Sequence, residues 1–445
     1  MATLPVFAAP AASRPTILSL KAALFSEDET QALAAFLVTR SFDAAPQLHK
    51  DTFDEPELPD DVDMLTEQLA NGLEQAVARA IEGADHVAVL TGGGVDSGAL
   101  LGMAVAKARG ACAKEVEAVA LHFSGPGDDR PHLAALCADL RLTPLKVDPI
   151  DAVPFFSRAL RLGGRPDPWP TTALEFALAS RARDVGAVRI LGGFGGDQIF
   201  NGQGRSLTQL VRQGHPLRAL REALALQTHE NFSAIKSIRN YLVAPLLVEF
   251  VPEWLRIKRR ILRNKQHWMG PTTLRFVERY FSVPSRTTVA TSTPKTRYRE
   301  WIDSAWFAEL EFRRKAFDDE LGVDRRNPYL DRDLMKLVAR IPPKALLASG
   351  QQKGLFRRAV AQWLPASVCA RQDKAWLEPA IETLVADPKV ASQLEALVDG
   401  RELAARGLVD DRHFRTTFKG ALKRSSSAWV EFWPALSAEA WLRGH

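Results

Sequence analysis

The chain reads as α/β, a doubly wound parallel sheet followed by a large helical C-terminal part, and three observations carry that reading. Residues 87–98, Val-Ala-Val-Leu-Thr-Gly-Gly-Gly-Val-Asp-Ser-Gly, are an apolar β-rich run that breaks into glycines and restarts as a helix. Residues 187–201, Ala-Val-Arg-Ile-Leu-Gly-Gly-Phe-Gly-Gly-Asp-Gln-Ile-Phe-Asn, have the same strand, glycine turn and acid. Between them the apolar pattern alternates strand with helix, which predicts parallel strands with ligands at their carboxyl ends.

Taken in order, residues 51–63 are acidic and proline-bearing and read as a linker before an amphipathic helix over 64–81 that packs on the sheet. The run 87–90 fits a strand covered on both faces, with a helix starting at Ser97. A strand over 115–123, helices over 130–141 and 171–183, and a strand over 187–191 continue the alternation, and from Gly204 onward the pattern is helical. The expected division is 1–65, an N-terminal segment with the acidic linker, and 66–445, comprising an α/β nucleotide-binding core over 66–203 and a mainly helical part over 204–445. There is no internal repeat and no low-complexity tract.

Composition narrows the class. With 445 residues, 46% of them hydrophobic, there is material for a large core. Cys112, Cys137 and Cys369 are too few and too scattered for a disulfide framework or a zinc site, so a reducing, cytoplasmic setting is expected. The first ten residues have no basic start and are broken by prolines, and no uncharged stretch approaches the roughly 18 residues of a membrane span. Residues 201–300 hold 18 basic and 6 acidic side chains, more than the whole net charge of +5. That excess reads either as a docking face or as a solvated helical face; Trp254, Ile257, Ile261 and Leu262 interleave with the charges at helical spacing and favour the second. No nucleic-acid-binding motif accompanies it.

The glycine segments set the chemistry. Gly92, Gly93 and Gly94 let backbone N–H groups approach a phosphate without a Cβ in the way, and the helix after them turns its positive end to the same anion. No lysine follows, as it would in a Walker loop; Asp96 does, and a carboxylate beside a triphosphate works only through a cation. A polyphosphate and a cation are therefore expected. Other residues have plainer readings. Asp331 reads as the N-cap of a helix from Arg332 to Ile341, His122 as a core or rim histidine, and Trp169 as a loop anchor with substrate stacking as its alternative.

The loop resembles the pyrophosphatase-type Ser-Gly-Gly-x-Asp-Ser of enzymes that cleave ATP between the α and β phosphates, with Gly92 in place of the first serine. Two further blocks, Gly-Val-Asp-Arg-Arg-Asn-Pro-Tyr-Leu-Asp at 322–331 and the run 353–374 with Lys-Gly-Leu-Phe-Arg-Arg, Leu-Pro-Ala-Ser-Val and Arg-Gln-Asp-Lys, complete the set. Together the four blocks resemble the C-terminal synthetase domain of the asparagine synthetase family, which also holds β-lactam synthetases and lasso-peptide cyclases. The resemblance implies an adenine nucleotide alpha hydrolase-like fold and an AMP- and pyrophosphate-forming carbon–nitrogen ligase. It implies ATP and Mg2+ as cofactors, with Asp96 and Asp197 as metal ligands and Gly92, Gly93, Gly94, Ser97, Gly195 and Gly196 around the nucleotide. It implies that Lys353 and Lys374 contact pyrophosphate and the charge developing on phosphate and tetrahedral oxygen, and that Asp324 orients or deprotonates the amine.

Departures from the family select among its activities. Glutamine-using members begin with Met-Cys and carry a glutaminase domain; here residue 2 is Ala2 and only 1–65 precede the synthetase part, so no glutaminase function is expected. Phe194 stands where asparagine formers have a glutamate and β-lactam formers a tyrosine. The resemblance then implies an amine that is not glutamine-derived, best an intramolecular amine on a peptide, as in a lasso-peptide macrolactam cyclase of antibiotic biosynthesis. Its partners would be a peptide or small-molecule carboxylate substrate, a precursor peptide and a leader peptidase. The alternatives are a stand-alone amide ligase using ammonia or a small amine, and a degenerate, non-catalytic nucleotide-binding partner.

Overall fold

The computed structural model describes residues 28–42, 55–110, 115–125, 128–200, 205–212, 214–230, 233–247, 250–282, 298, 301–302, 304–346, 348, 353–371, 377–422 and 428–444. Its main sheet is parallel and runs β3-β2-β1-β6-β7, formed by β1 (His86–Leu90), β2 (Glu115–Leu121), β3 (Leu145–Val147), β6 (Arg189–Leu191) and β7 (Asp324–Arg326); β4 (Arg161–Leu162) and β5 (Arg165–Pro166) make a separate small hairpin. The chain leaves β1 toward β2 and β3 on one side and later adds β6 and β7 on the other. The order therefore reverses between β1 and β6, which opens a crevice at their carboxyl ends.

The doubly wound expectation holds, with one addition from the helical half. β7 pairs with β6 through Arg189↔Asp324 and Leu191↔Arg326. Its sequence, Asp-Arg-Arg, carries no apolar alternation because it is a short edge strand, half-buried to exposed, whose place is set by backbone pairing and ion pairs.

Alternating strand residues feed two cores. Val87 and Val89 face one with Leu65, Leu69, Leu73 and Val77 of α2 (Val62–Ile81) and with α3 (Val95–Gly110). Ala88 and Ile190 face the other with Ala173, Phe176 and Ala179 of α5 (Thr172–Asp184); α4 (Arg130–Leu140) lies against the first. α2 begins two residues before the expected 64 because Asp61 caps it, accepting from the amides of Asp63 at 3.0 Å and Met64 at 3.1 Å. The segment ahead of the linker is part of the fold: α1 (Glu29–Thr39) buries Leu33 through Leu37 in the second core, against α7 (Pro271–Ser282).

The basic stretch includes α6 (Glu253–Asn264), which buries none of its residues completely. Ile261 leans on the second core, while Trp254 and Leu262 are 66% and 60% exposed. Its basic residues Lys258, Arg259 and Arg263 are exposed, as either a solvated face or a docking face requires. Among the described residues no helix is long and apolar enough to cross a membrane.

Asp331 is the N-cap of the helix Arg332–Arg340, accepting from the amides of Asp333 and Leu334 at 3.1 Å each, and it also joins that helix to α2 by pairing with Arg79, whose Nη2 lies 2.6 Å away. Burial opposes its ionisation, but Arg79 and the two amides hold its carboxyl below the usual range. A depressed folded pKa contributes stability above the ordinary aspartate value of about 3.9 and loses it as pH falls further. Asp331→Ala should lower stability by about 1–2 kcal/mol near neutral pH. Urea midpoints should show the difference with the slope unchanged, and it should shrink on acidification below about pH 4.

Candidate active site at the strand switch

β1 ends at Leu90, and Thr91 keeps its amide on Val119 O at 2.9 Å before the chain turns away from the sheet. The three glycines that follow do different work. A Cβ at Gly92 would stand 2.5 Å from Oδ2 of Asp129, and one at Gly93 would stand 2.6 Å from the amide of Leu133, so both are pressed onto the start of α4. Gly93 also has φ +87°, which disfavours any side chain. Only Gly94 faces open space, with nothing within 4 Å of its Cβ position. Ser97 braces the turn, its Oγ 3.4 Å from the Gly92 amide and 3.3 Å from Thr91 Oγ1. α3 begins at Val95 rather than Ser97, which places Asp96 and Ser97 in its first turn, where N–H groups have no partner within the helix. A helix end of that kind can hold an anion.

The second turn meets the first. Gly192 bonds Arg326 O at 3.0 Å, Gly195 takes φ +101°, and a Cβ on Gly196 would lie 3.2 Å from Asp96 Oδ1. Gly196 thus makes room for the acid of the other turn, and Asp197 follows it in the one-turn helix Gly196–Ile199. Lys353 arrives from a third region, at the start of the helix Gly354–Val360 and in a left-handed conformation at φ +56°. Its Nζ bonds Asp96 Oδ2 and lies 2.7 Å from Asp197 Oδ1, with the lysine side chain only 8% exposed. Tyr329, fully buried, donates its hydroxyl to Asp96 O at 2.6 Å, and burial followed by the Asp96 charge pushes its phenol well above the usual range.

These contacts bear on a metal. Asp96 Oδ1 is buried with no hydrogen-bond partner, an acceptor left for a cation. Among the described residues no group of three or more His, Cys, Asp or Glu side chains gathers, so two carboxylates would share a metal with phosphate and water oxygens. That donor set fits magnesium.

Asp324 is placed elsewhere. It pairs in register with Arg189, which is level with Val87 at the amino ends of the strands, whereas the crevice lies at their carboxyl ends. Arg326 at 2.7 Å and Arg189 at 3.0 Å bind its carboxylate, and Arg326 first, then Arg189, hold it below the ordinary range. We correct the expected amine-binding role accordingly: Asp324 ties β7 to β6. Lys374 falls in 372–376, outside the described residues.

Beside Gly192 and Gly193 opens a cavity of about 240 Å³, bounded by Leu90, Phe194 and, from α5, α8 (Ala305–Leu321), β7 and the residue after it, by Glu175, Glu311, Arg313, Arg314, Arg325 and Asn327. Arg313 reaches Asp167 at 2.6 Å and Glu175 at 3.2 Å; Arg325 reaches Asp318 at 2.8 Å and Glu175 at 3.3 Å. Burial opposes the Arg313 charge, but Asp167 and Glu175 outweigh it and raise its pKa. Burial likewise opposes ionisation of Glu175, and the two arginines win and keep it a carboxylate. Phe194 packs on Trp301 and Trp306 with ring centres 6.2 Å and 5.8 Å away, and Trp306 continues edge-on to Trp169 at 5.9 Å. Trp169 is also anchored by its amide on Asp167 Oδ2 at 3.2 Å. His122 is a rim residue, 3.5 Å from Asp148. The sequence reading missed the Glu175 and Arg313 pair; the available signal was a glutamate within the otherwise apolar Ala-Leu-Glu-Phe-Ala of α5.

Arg313→Met should strand the buried Asp167 carboxylate, leave Glu175 to Arg325 alone, and cost about 3–5 kcal/mol. Equilibrium unfolding of the variant checks it, and a loss within error of zero would show the pair to be dispensable.

The family model for asparagine synthase matches residues 68–443. No curated protein matches the chain. The match takes in both glycine turns, Lys353, the cavity and the helical part that closes it, and the chain belongs to the asparagine synthase family.

Proposed function

We propose that the protein adenylates a carboxylate with ATP, releases pyrophosphate, and joins the acyl group to an amine carried on the same peptide, as a macrolactam cyclase of the lasso-peptide kind does. Family membership gives ATP-dependent amide-bond formation by an ATP-using carbon–nitrogen ligase; the leaving group and the substrates are our reading. The observation that carries it is the meeting of Asp96, Asp197 and Lys353 at the end of the crevice where α3 presents its first turn.

In the reaction a substrate carboxylate oxygen attacks the α phosphorus, the bond to the bridging oxygen breaks, and pyrophosphate departs. The amine nitrogen then attacks the acyl carbon, AMP leaves with the bonding pair, and the amine's proton passes to a base or water. The first-turn amides of α3 bind phosphate oxygens, and Lys353, released from the two acids, follows the charge on the leaving group. Magnesium held by Asp96 and Asp197 would neutralise the departing pyrophosphate. Lys374, by the resemblance, answers the charge on phosphate and tetrahedral oxygen. Glu175 and Glu311 line the cavity next to the turn, the first paired with Arg313 and Arg325 and the second with Arg314.

Phe194 supports a peptide over a small amine. It offers the cavity an apolar ring backed by Trp301 and Trp306, suited to side chains and backbone of a peptide rather than to ammonia. A stand-alone ligase using ammonia or a small amine is the second enzymatic reading. A non-catalytic role is disfavoured by Lys353 joined to both acids and by the unsatisfied oxygen of Asp96. Precursor peptide and leader peptidase are the partners this function calls for.

Turnover should yield AMP and pyrophosphate and require magnesium, and Asp96→Asn and Asp197→Asn should each abolish most of it. Product analysis decides: ADP would overturn the assignment, and wild-type rates in both variants would make the acids structural. For the acceptor, Arg259, Arg260 and Arg263 should be neutralised together. Affinity for a precursor peptide should fall at low salt and converge with wild type at higher salt, while ATP binding is retained. Amide formation from a free amino acid and ammonia, with no effect of the triple change, would favour the small-amine ligase.

A further inference from the structure

Position 92 has no side chain, and the space a side chain would use is already filled. Oδ2 of Asp129 lies 2.5 Å from where a Cβ would stand, and no other group is closer there than the Asp129 Cγ at 3.6 Å. The other Asp129 oxygen is bound by Nη1 of Arg371, and the same nitrogen donates to Gly93 O at 3.3 Å. Both side chains are enclosed, Arg371 at 3% and Asp129 at 15% exposure. The glycine loop is therefore backed by a carboxylate from the start of α4 and a guanidinium from the segment after the helix Ala366–Cys369. An enclosed carboxylate so near a phosphate loop would repel a triphosphate if it were not neutralised in place.

We propose that Asp129 and Arg371 are positioning residues for the triphosphate. Asp129 fills the volume that a hydroxyl side chain at 92 would occupy, and Arg371 cancels its charge and fixes the Gly93 carbonyl. With that carbonyl turned back, the amides from Gly94 into the first turn of α3 are aimed into the crevice. This inference rests on the loop binding ATP.

It makes the loop and Asp129 interdependent. Gly92→Ser should be blocked by Asp129, and Asp129→Ala should lose the brace by removing that carboxylate from Arg371. In the double variant the serine finds room, and its hydroxyl can accept from Arg371. The measurement is affinity for magnesium-ATP by competition with a fluorescent ATP analogue, for wild type, both single variants and the double, with thermal unfolding followed in parallel. Each single change should weaken binding about tenfold or more, and the double should bind at least about tenfold more tightly than the product of the single effects. Effects that simply multiply, or a Gly92→Ser protein that binds like wild type, overturn the proposal.

Arg371→Lys gives a second readout should Gly92→Ser fail to fold. It keeps the positive charge but lacks the planar fork, and it should weaken nucleotide binding while leaving the unfolding midpoint close to wild type. Unchanged binding would count against the brace. Absence of magnesium-ATP binding in the wild type would instead remove the proposed function on which the inference stands.

Discussion

Two carboxylates on neighbouring loops repel each other, and the architecture around the crevice follows from holding them together. Asp96 comes from the turn after β1 and Asp197 from the turn after β6, and parallel pairing of those two strands brings the turns side by side. One ammonium, that of Lys353, bridges the acids from a side chain almost wholly enclosed. In such a setting its charge counts for far more than a surface lysine's would. The supporting choices are local: a glycine at 196 so that the Asp96 carboxylate can lie flat against the backbone, a buried phenol on the Asp96 carbonyl, and a left-handed residue at 353 so that its stem enters at the right angle. That last conformation is sterically disfavoured for a residue with a Cβ and persists only where the surroundings over-determine it.

A second charge system lies next to the first and is built differently. Arg313 and Arg325 share Glu175 and are each tied to a further acid, so the cavity beside the turn is lined by charges already balanced by one another. A chamber of this kind keeps its shape without ligand, because moving any one member leaves another uncompensated. The aromatic rings of Phe194, Trp301 and Trp306 stiffen its edge. Asp96, by contrast, keeps one oxygen unsatisfied.

The α/β core was legible because its signals are local. A β-rich apolar run followed by glycines and an acid fixes strand, turn and helix within a dozen residues, and both turns fell where the pattern put them. Asp96, Asp197 and Lys353 were found through motifs, and geometry brings all three together. Asp324 was misread because the motif gives spacing along the chain but not height along the strand; parallel register with Arg189 sets it at the wrong end. β7 escaped notice since an edge strand of Asp-Arg-Arg needs no apolar face. The glycines at 92 and 93 looked like ligand-facing residues, and what actually requires them is the close approach of α4, a contact between segments that no local pattern encodes.

β7 has a consequence for how the molecule is made. β6 ends at Leu191, and its outer neighbour does not begin until Asp324, after the intervening helices have been synthesised. Until then the β6 edge has unpaired backbone groups beside an unfinished cavity, the kind of exposed strand that recruits other chains. A contact closing over so long a loop forms late and slowly. The nascent α/β half is therefore the stage most exposed to aggregation, and completion of the crevice coincides with the end of that exposure.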